Sequence, residues 1–312
     1  MKKIVLFAAA CFVLSGSVFC QIKSTLRPGE NVKAIFIAMD DADIHWQTLM
    51  RGAQQEAARS KIEFTNNAPT SKTDPAQQIT LVENAITAKY DIIMLAPQNA
   101  DRLVPVVNKA KAAGIKMIIL DSPIGNGANF DTFVGTDNAA AARTAADTLA
   151  KAIGGKGKIA VINSRSGVPA AVTREQEFKD RITKNYPNIT IVGSQYSDGD
   201  KTKAQSIAGS FIQANSDLAG IYACNDAATI GAANAVKQAG KAGKIIVVGW
   251  EKNKELENLV KDGTIHSVMV QNSSVMGARA IQAGINLIQG KPVGKSVDSG
   301  ITVGNKANIG KL

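Results

Sequence analysis

From about position 32 onward, apolar residues along the chain switch repeatedly between two spacings. Short, nearly continuous apolar runs bounded by polar residues fall at 32–39, 62–64, 92–95, 117–120, 158–162, 190–193, 220–223, 245–248 and 266–270. That is the pattern of strands buried on both faces. Between them the apolar spacing becomes helical at 44–60, 75–89, 103–113, 138–153, 170–185, 202–215, 227–239, 253–262 and 274–289. Asp74-Pro75 reads as an N-cap followed by proline at the first helical position. Unbroken strand–helix alternation implies an α/β fold whose parallel sheets carry helices on both faces. About ten strands exceed one open sheet of ordinary size, so the chain is expected to form two doubly wound lobes. The segment 122–131, with Pro123, Gly125 and Gly127, is the expected first crossing between them. No Ser/Gly-rich linker is present, which predicts a hinge of several short strands rather than a tether.

The first twenty residues follow another pattern. Lys2 and Lys3 precede an apolar run at 4–14 and then Ser15, Gly16 and Ser17, the layout of an export signal over 1–20. The run is too short for a comfortable membrane span. Cleavage before Gln21 would release a periplasmic protein, and lipidation of Cys20 would anchor it; Phe19 fits a lipoprotein signal poorly. Removing Lys2 and Lys3 with the signal, which contains no acid, lowers the net charge from +10 to +8. The remaining lysines are scattered singly, as at Lys109, Lys111, Lys179 and Lys184, which describes a solvated surface and excludes nucleic acid as a partner. Cys224 is the single cysteine of the body, so neither an internal disulfide nor a cysteine metal cluster can form there.

Ligands of open parallel sheets sit beyond the carboxyl ends of the strands. Those ends carry Asp40, Asp41, Asp43, His45 and Trp46, then Asp121 and Ser122, Asn163, Asn225-Asp226, Trp250-Glu251 and Gln271-Asn272. Carboxylates and amides pair with hydroxyl groups, and an aromatic face packs on a sugar ring. The set therefore points to a small polyhydroxylated ligand, with the plain alternative that such residues are only loop and cap residues. No G-x-G-x-x-G or Walker-type loop follows a strand, and His45 and His266 neighbour no nucleophile signature. No catalytic residue, cofactor or metal is assigned, and an enzyme is the weaker alternative.

Seven segments in order resemble the ribose-binding protein family of periplasmic sugar receptors. They are Arg51-Gly52-Ala53-Gln54-Gln55-Glu56-Ala57, Ile118-Ile119-Leu120-Asp121, Val134-Gly135-Thr136-Asp137-Asn138, Arg174-Glu175-Gln176-Glu177-Phe178, Ala223-Cys224-Asn225-Asp226, Val247-Val248-Gly249-Trp250-Glu251 and Gln271. The resemblance implies a type I periplasmic binding protein, with 32–136 plus 272–300 in one lobe and 137–271 plus 301–312 in the other. It places Trp46 and Trp250 as aromatic residues sandwiching a sugar, and Asp121, Arg174, Asn225, Glu251 and Gln271 as polar contacts. Asp43, His45 and Ser122 stand where the family usually has an asparagine, an aromatic and an arginine, and Gly199 replaces a further aromatic. A sugar or polyol other than ribose is the implied ligand. The implied partners are an ABC permease in the inner membrane and, alternatively, a chemoreceptor, with a monomer sufficing for hinge closure. A regulator of the same fold would need a DNA-binding segment for which too few residues precede the first strand.

Overall fold

The computed structural model describes residues 31–40, 44–70, 75–164 and 168–312. The expected export signal with Cys11 and Cys20, the residues Asp41 and Asp43, and the Asp74 cap lie outside the described residues.

The first sheet holds β1 (Lys33–Ile37), β2 (Glu63–Asn67), β3 (Ile92–Leu95), β4 (Lys116–Leu120), β5 (Thr132–Gly135) and, from much later in the chain, β11 (Ser296–Asp298). The second holds β6 (Gly157–Asn163), β7 (Ile189–Tyr196), β8 (Leu218–Ala223), β9 (Ile246–Trp250), β10 (Ser267–Gln271) and β12 (Ile301–Asn305). Their orders are β11-β5-β4-β3-β1-β2 and β12-β10-β9-β8-β6-β7, one strand order used twice. All four residues of β3 are fully buried, as expected for a strand covered on both faces.

In the first lobe α1 (Ile44–Arg59) and α9 (Ser273–Ile288) pack on one face of the sheet, and α2 (Pro75–Thr87) and α3 (Val104–Ala112) on the other. In the second, α4 (Asn138–Ala152) and α5 (Pro169–Asn185) oppose α6 (Lys201–Ala214), α7 (Asp226–Gln238) and α8 (Lys254–Lys261). The pair α1 and α9 meets backbone to backbone: a β-carbon on Gly52 would overlap the Ser274 carbonyl, and one on Gly277 the Leu49 carbonyl. In the second lobe the buried alanines 141, 142, 145 and 146 of α4 share one core with Phe178 and Ile182 of α5.

The chain passes between sheets three times, at Thr136–Asp137, at Asn272 and at Ser299–Gly300. These links are stitched sideways. Asp298 Oδ1 accepts from the backbone N–H of Asp137 (2.8 Å) and of Gly300 (2.9 Å), Ser299 N donates to Gly135 O (2.7 Å), and Thr302 Oγ1 donates to Asn272 Oδ1 (2.9 Å). Because the carboxyl ends of the two sheets face each other, β11 runs parallel to β5, while its continuation β12 enters the second sheet antiparallel to β10.

The segment 122–131 does not cross between lobes. It joins β4 to β5 inside the first lobe, with Ile124, Ala128 and Phe130 packed on that lobe's core and Gly125 N donating to Ala100 O (3.0 Å). Its Pro and Gly mark a change of direction but carry no information about which sheet the next strand joins. The strands β5, β11 and β12 were not expected, being short or polar: Thr-Phe-Val-Gly, Ser-Val-Asp and Ile-Thr-Val-Gly-Asn.

Candidate functional site

The carboxyl ends of β4 and β9 occupy equivalent places in the two sheets, and each is followed by an acid. Asp121 (φ 60°) and Glu251 (φ 73°) both adopt the left-handed backbone region. That conformation is uncommon for a non-glycine residue and requires surroundings that over-determine it. Both receive the same support: Asp121 N donates to Val134 O and Glu251 N to Met269 O, each at 2.9 Å, from the next strand of its sheet. The two carboxylates line one interlobe cavity of about 820 Å³, together with His45, Arg51 and Ser273 of the first lobe and Asp226, Lys252 and Gln271 of the second.

On the first lobe, His45 Nε2 lies 3.2 Å from Asp121 Oδ1 and His45 Nδ1 lies 2.9 Å from Ser273 Oγ. A ring protonated on Nε2 carries that N–H on the side of the Asp121 carboxylate and, when neutral, accepts from the serine at Nδ1. Ser122 Oγ donates to Asp121 Oδ2 (3.3 Å). Burial pushes the Asp121 carboxyl up, but hydrogen bonding and charge from His45, the charge of Arg174 and the Ser122 hydroxyl together pull it below its ordinary value.

On the second lobe, Gln271 Nε2 donates to Glu251 Oε1 (2.7 Å), and Arg174 Nη1 approaches the same oxygen at 4.0 Å. Here burial wins: the Glu251 carboxyl is pushed above its ordinary value despite Arg174, His45 and Gln271, and the charge of Asp121 adds to the rise. The influence of His45 and Asp121 on Glu251, and of Arg174 on Asp121, shows that the two lobes present one electrostatic site.

Arg174 comes from α5, anchored because the neighbouring Glu175 accepts from Asn163 Nδ2 (2.6 Å), Ser194 Oγ (2.6 Å) and Tyr196 Oη (2.9 Å). The guanidinium lies 3.5 Å from the centroid of the Trp250 ring, Nε donates to Asn138 Oδ1 (2.7 Å), and Nη1 donates to Cys224 O (3.1 Å). Cys224 itself is a buried residue at the end of β8, its thiol pushed up by burial.

Neither tryptophan lines the interlobe cavity, where the resemblance implies that they sandwich a sugar. Trp250 is fully buried, with one face taken by Arg174. Trp46 packs against Phe36 (centroids 6.5 Å) and His45 (4.6 Å) and lines a separate hollow of about 390 Å³ with Asp40, Met50 and Asn67. The physical reason is that a guanidinium competes for an indole face, and Arg174 reaches Trp250 from within the same lobe. Asn225 caps α7, its Oδ1 accepting from Ala228 N (3.1 Å) and its Nδ2 donating to Asp226 Oδ1 (3.3 Å). His45, Asp121, Ser122, Arg174, Glu251 and Gln271 are thus brought together; Asp43 lies outside the described residues. Sequence reasoning missed Ser273, which the strand-end rule could have reached one residue beyond Asn272. It also missed the roles of Asn138 and Tyr222, which carry no local signal. Among the described residues no group of three or more His, Cys, Asp or Glu is placed to hold a metal, and no helix is long and apolar enough to cross a membrane.

Comparison with known proteins agrees with this architecture. The chain is 27% identical over 306 residues to the D-ribose/D-allose-binding protein of Pseudomonas aeruginosa, covering 93% of this chain and 91% of that protein. It is 30% identical over 244 residues to the D-allose-binding periplasmic protein of Escherichia coli, covering 76% and 78%. The crystal structure of an ABC transporter solute binding protein from Agrobacterium vitis with bound D-fucose superposes with a TM-score of 0.73 at 35% identity, covering 89% of this chain and 97% of that one. A family model described as periplasmic binding protein domain matches residues 35–292, and the chain belongs to that family.

Proposed function

We propose that this chain is an exported receptor that captures a neutral monosaccharide or polyol between its lobes and hands it to an ABC import permease, without altering it. The observation that carries the reading is the pair Asp121 and Glu251, one at the same strand end of each lobe, both in left-handed backbone and both facing one cavity. Carboxylates accept from ligand hydroxyls, while Arg174, His45, Ser122 and Gln271 supply donors, so a polyhydroxylated molecule would satisfy both sets. Contacts split between lobes are complete only when the lobes close, so the ligand shifts the hinge equilibrium by its differential affinity for that state; periplasmic binding proteins are a standard instance of such closure. A few hydrogen bonds to charged groups, each contributing about 1.5–3 kcal/mol, reach the roughly 8 kcal/mol of micromolar binding. The relatives named for ribose and allose, and the solved structure with bound D-fucose, support the same ligand class.

The test is a thermal-shift and calorimetric panel of pentoses, hexoses and polyols on the protein from Gln21 onward. A micromolar hit with unchanged sugar recovered afterwards is the expected outcome. A silent panel, or a chemically altered sugar, would overturn the reading.

A further inference from the structure

Trp250, which the resemblance implies stacks on a sugar, does not line the interlobe cavity. Trp250 has no exposed surface, Arg174 covers one face at 3.5 Å, and Nε1 is spent donating to Tyr222 Oη at 2.8 Å. Tyr222 is in turn fixed: its ring stacks on Phe178 with centroids 3.8 Å apart and planes 4° from parallel, and its hydroxyl faces Arg174 O at 3.5 Å. Thr229 Oγ1 accepts from Trp250 N (3.1 Å). Phe178 and Arg174 are four residues apart on α5, so one helix supplies both the lid of the tryptophan and the clamp on the tyrosine beneath it.

We propose that Trp250 is a positioning residue for ligand binding: it acts through Arg174, holding the guanidinium in one plane behind Glu251, which lines the interlobe cavity, and does not itself touch the ligand. The inference rests on the sugar-binding reading of the cleft. A guanidinium has five N–H donors in a rigid fork. Here Nε and one Nη1 hydrogen are committed to Asn138 and Cys224, Nη1 sits 4.0 Å from Glu251 at the cavity wall, and Nη2 makes no hydrogen bond among the described residues. The plate therefore presents uncommitted donors beside the acceptor Glu251. That arrangement suits two neighbouring hydroxyls, one used through its oxygen and the other through its hydrogen. It selects by hydroxyl configuration, because a plate locked on the indole cannot rotate to follow an epimer. The other side of the clamp, Asn138, begins α4 directly after the first interlobe crossing and donates through Nδ2 to Thr136 O (3.3 Å), so the plate is referenced to the hinge as well.

The experiment is a double-mutant cycle read by calorimetry with D-ribose, D-allose and D-fucose. Trp250→Leu keeps bulk but offers no π-face and should weaken binding by about tenfold or more, whereas Trp250→Phe keeps the face and should stay within about threefold. Trp250→Leu combined with Arg174→Ala should bind no more weakly than Arg174→Ala alone. Equal losses for Leu and Phe, or additive losses in the cycle, would overturn the proposal. As the chain has two tryptophans, Trp46→Phe leaves Trp250 as the sole emitter. Its acrylamide quenching should be low and unchanged by sugar, and a sugar-dependent change would show direct stacking and sink the idea. Should wild-type protein bind none of the three sugars, the functional reading itself falls; wild-type binding with an additive cycle removes only the role assigned to Trp250.

Discussion

The two lobes repeat one strand order, yet they finish the equivalent strand differently. In the first, β4 ends in Leu120 and the following acid is held by His45; in the second, β9 ends in Trp250 and the following acid faces an arginine resting on that ring. Leu120 and Trp250 are both fully buried, and both are succeeded by a left-handed acid bonded to its neighbouring strand. What differs is the means of handling charge. Beside Asp121 a histidine nitrogen lies 3.2 Å away and the carboxyl is lowered, while beside Glu251 the guanidinium stands 4.0 Å off, already committed elsewhere, and the carboxyl is raised. Equivalent backbone positions therefore do not imply equivalent protonation: desolvation is the largest cause at both, and the sum of the donors and charges facing each carboxyl sets the sign.

Mutations can break this comparison. The largest effect is expected for Trp250→Ala, which should lose about 3–5 kcal/mol by urea denaturation, because the ring supports Arg174 and Tyr222 as well as filling space. Leu120→Ala should lose less, towards the lower end of about 2–5 kcal/mol; a larger loss there would remove the asymmetry. Next, Arg174→Ala leaves Cys224 O and Asn138 Oδ1 without a donor and should lose about 2–3 kcal/mol.

The acids sharpen the comparison by pH. Asp121 has a lower pKa folded than unfolded, so its contribution is complete above about 3.9 and disappears as pH falls through the folded value. Glu251 has a higher one, so its contribution is present below about 4.3 and disappears as pH rises through the folded value. Thermal midpoints followed from pH 3 to 8 should therefore lose part of their fall on acidification in Asp121→Asn, and part of their fall on raising the pH in Glu251→Gln. Parallel shifts in the two variants would contradict the opposed protonation. The smallest effect is expected for Asp298→Ala, which removes one acceptor from two hinge N–H groups at an exposed position. It should lose about 1 kcal/mol and speed amide exchange at Asp137 and Gly300.

Much of this organisation was legible in the chain. The runs at 92–95 and 117–120 match β3 and β4 to within a residue, because strands buried on both faces read as unbroken apolar stretches. The strand-end rule likewise picked out His45, Asp121, Glu251 and Gln271, which the structure brings to one cavity, whereas Arg174, inside α5, came only from the family resemblance. It did not reach the fate of the tryptophans, since whether an indole faces a cavity or an arginine depends on which of two non-adjacent helices arrives over it. Nor could it find β11 and β12: an edge strand with little buried surface, such as Ser296–Asp298, has no apolar signature to leave.

The three crossings also bear on the order in which the molecule can be assembled. One face of the first sheet is covered by α9, and its edge strand is β11, both made only after residue 272. A chain emerging from its N-terminus therefore carries the apolar side of α1, including Leu49 and Ala53, uncovered until almost all of it has been made. The second lobe similarly awaits β12 and the buried Ile309 to complete its sheet and core. Neither sheet has its full set of strands until the last part of the chain is made, so apolar surface in both halves is left uncovered through most of synthesis.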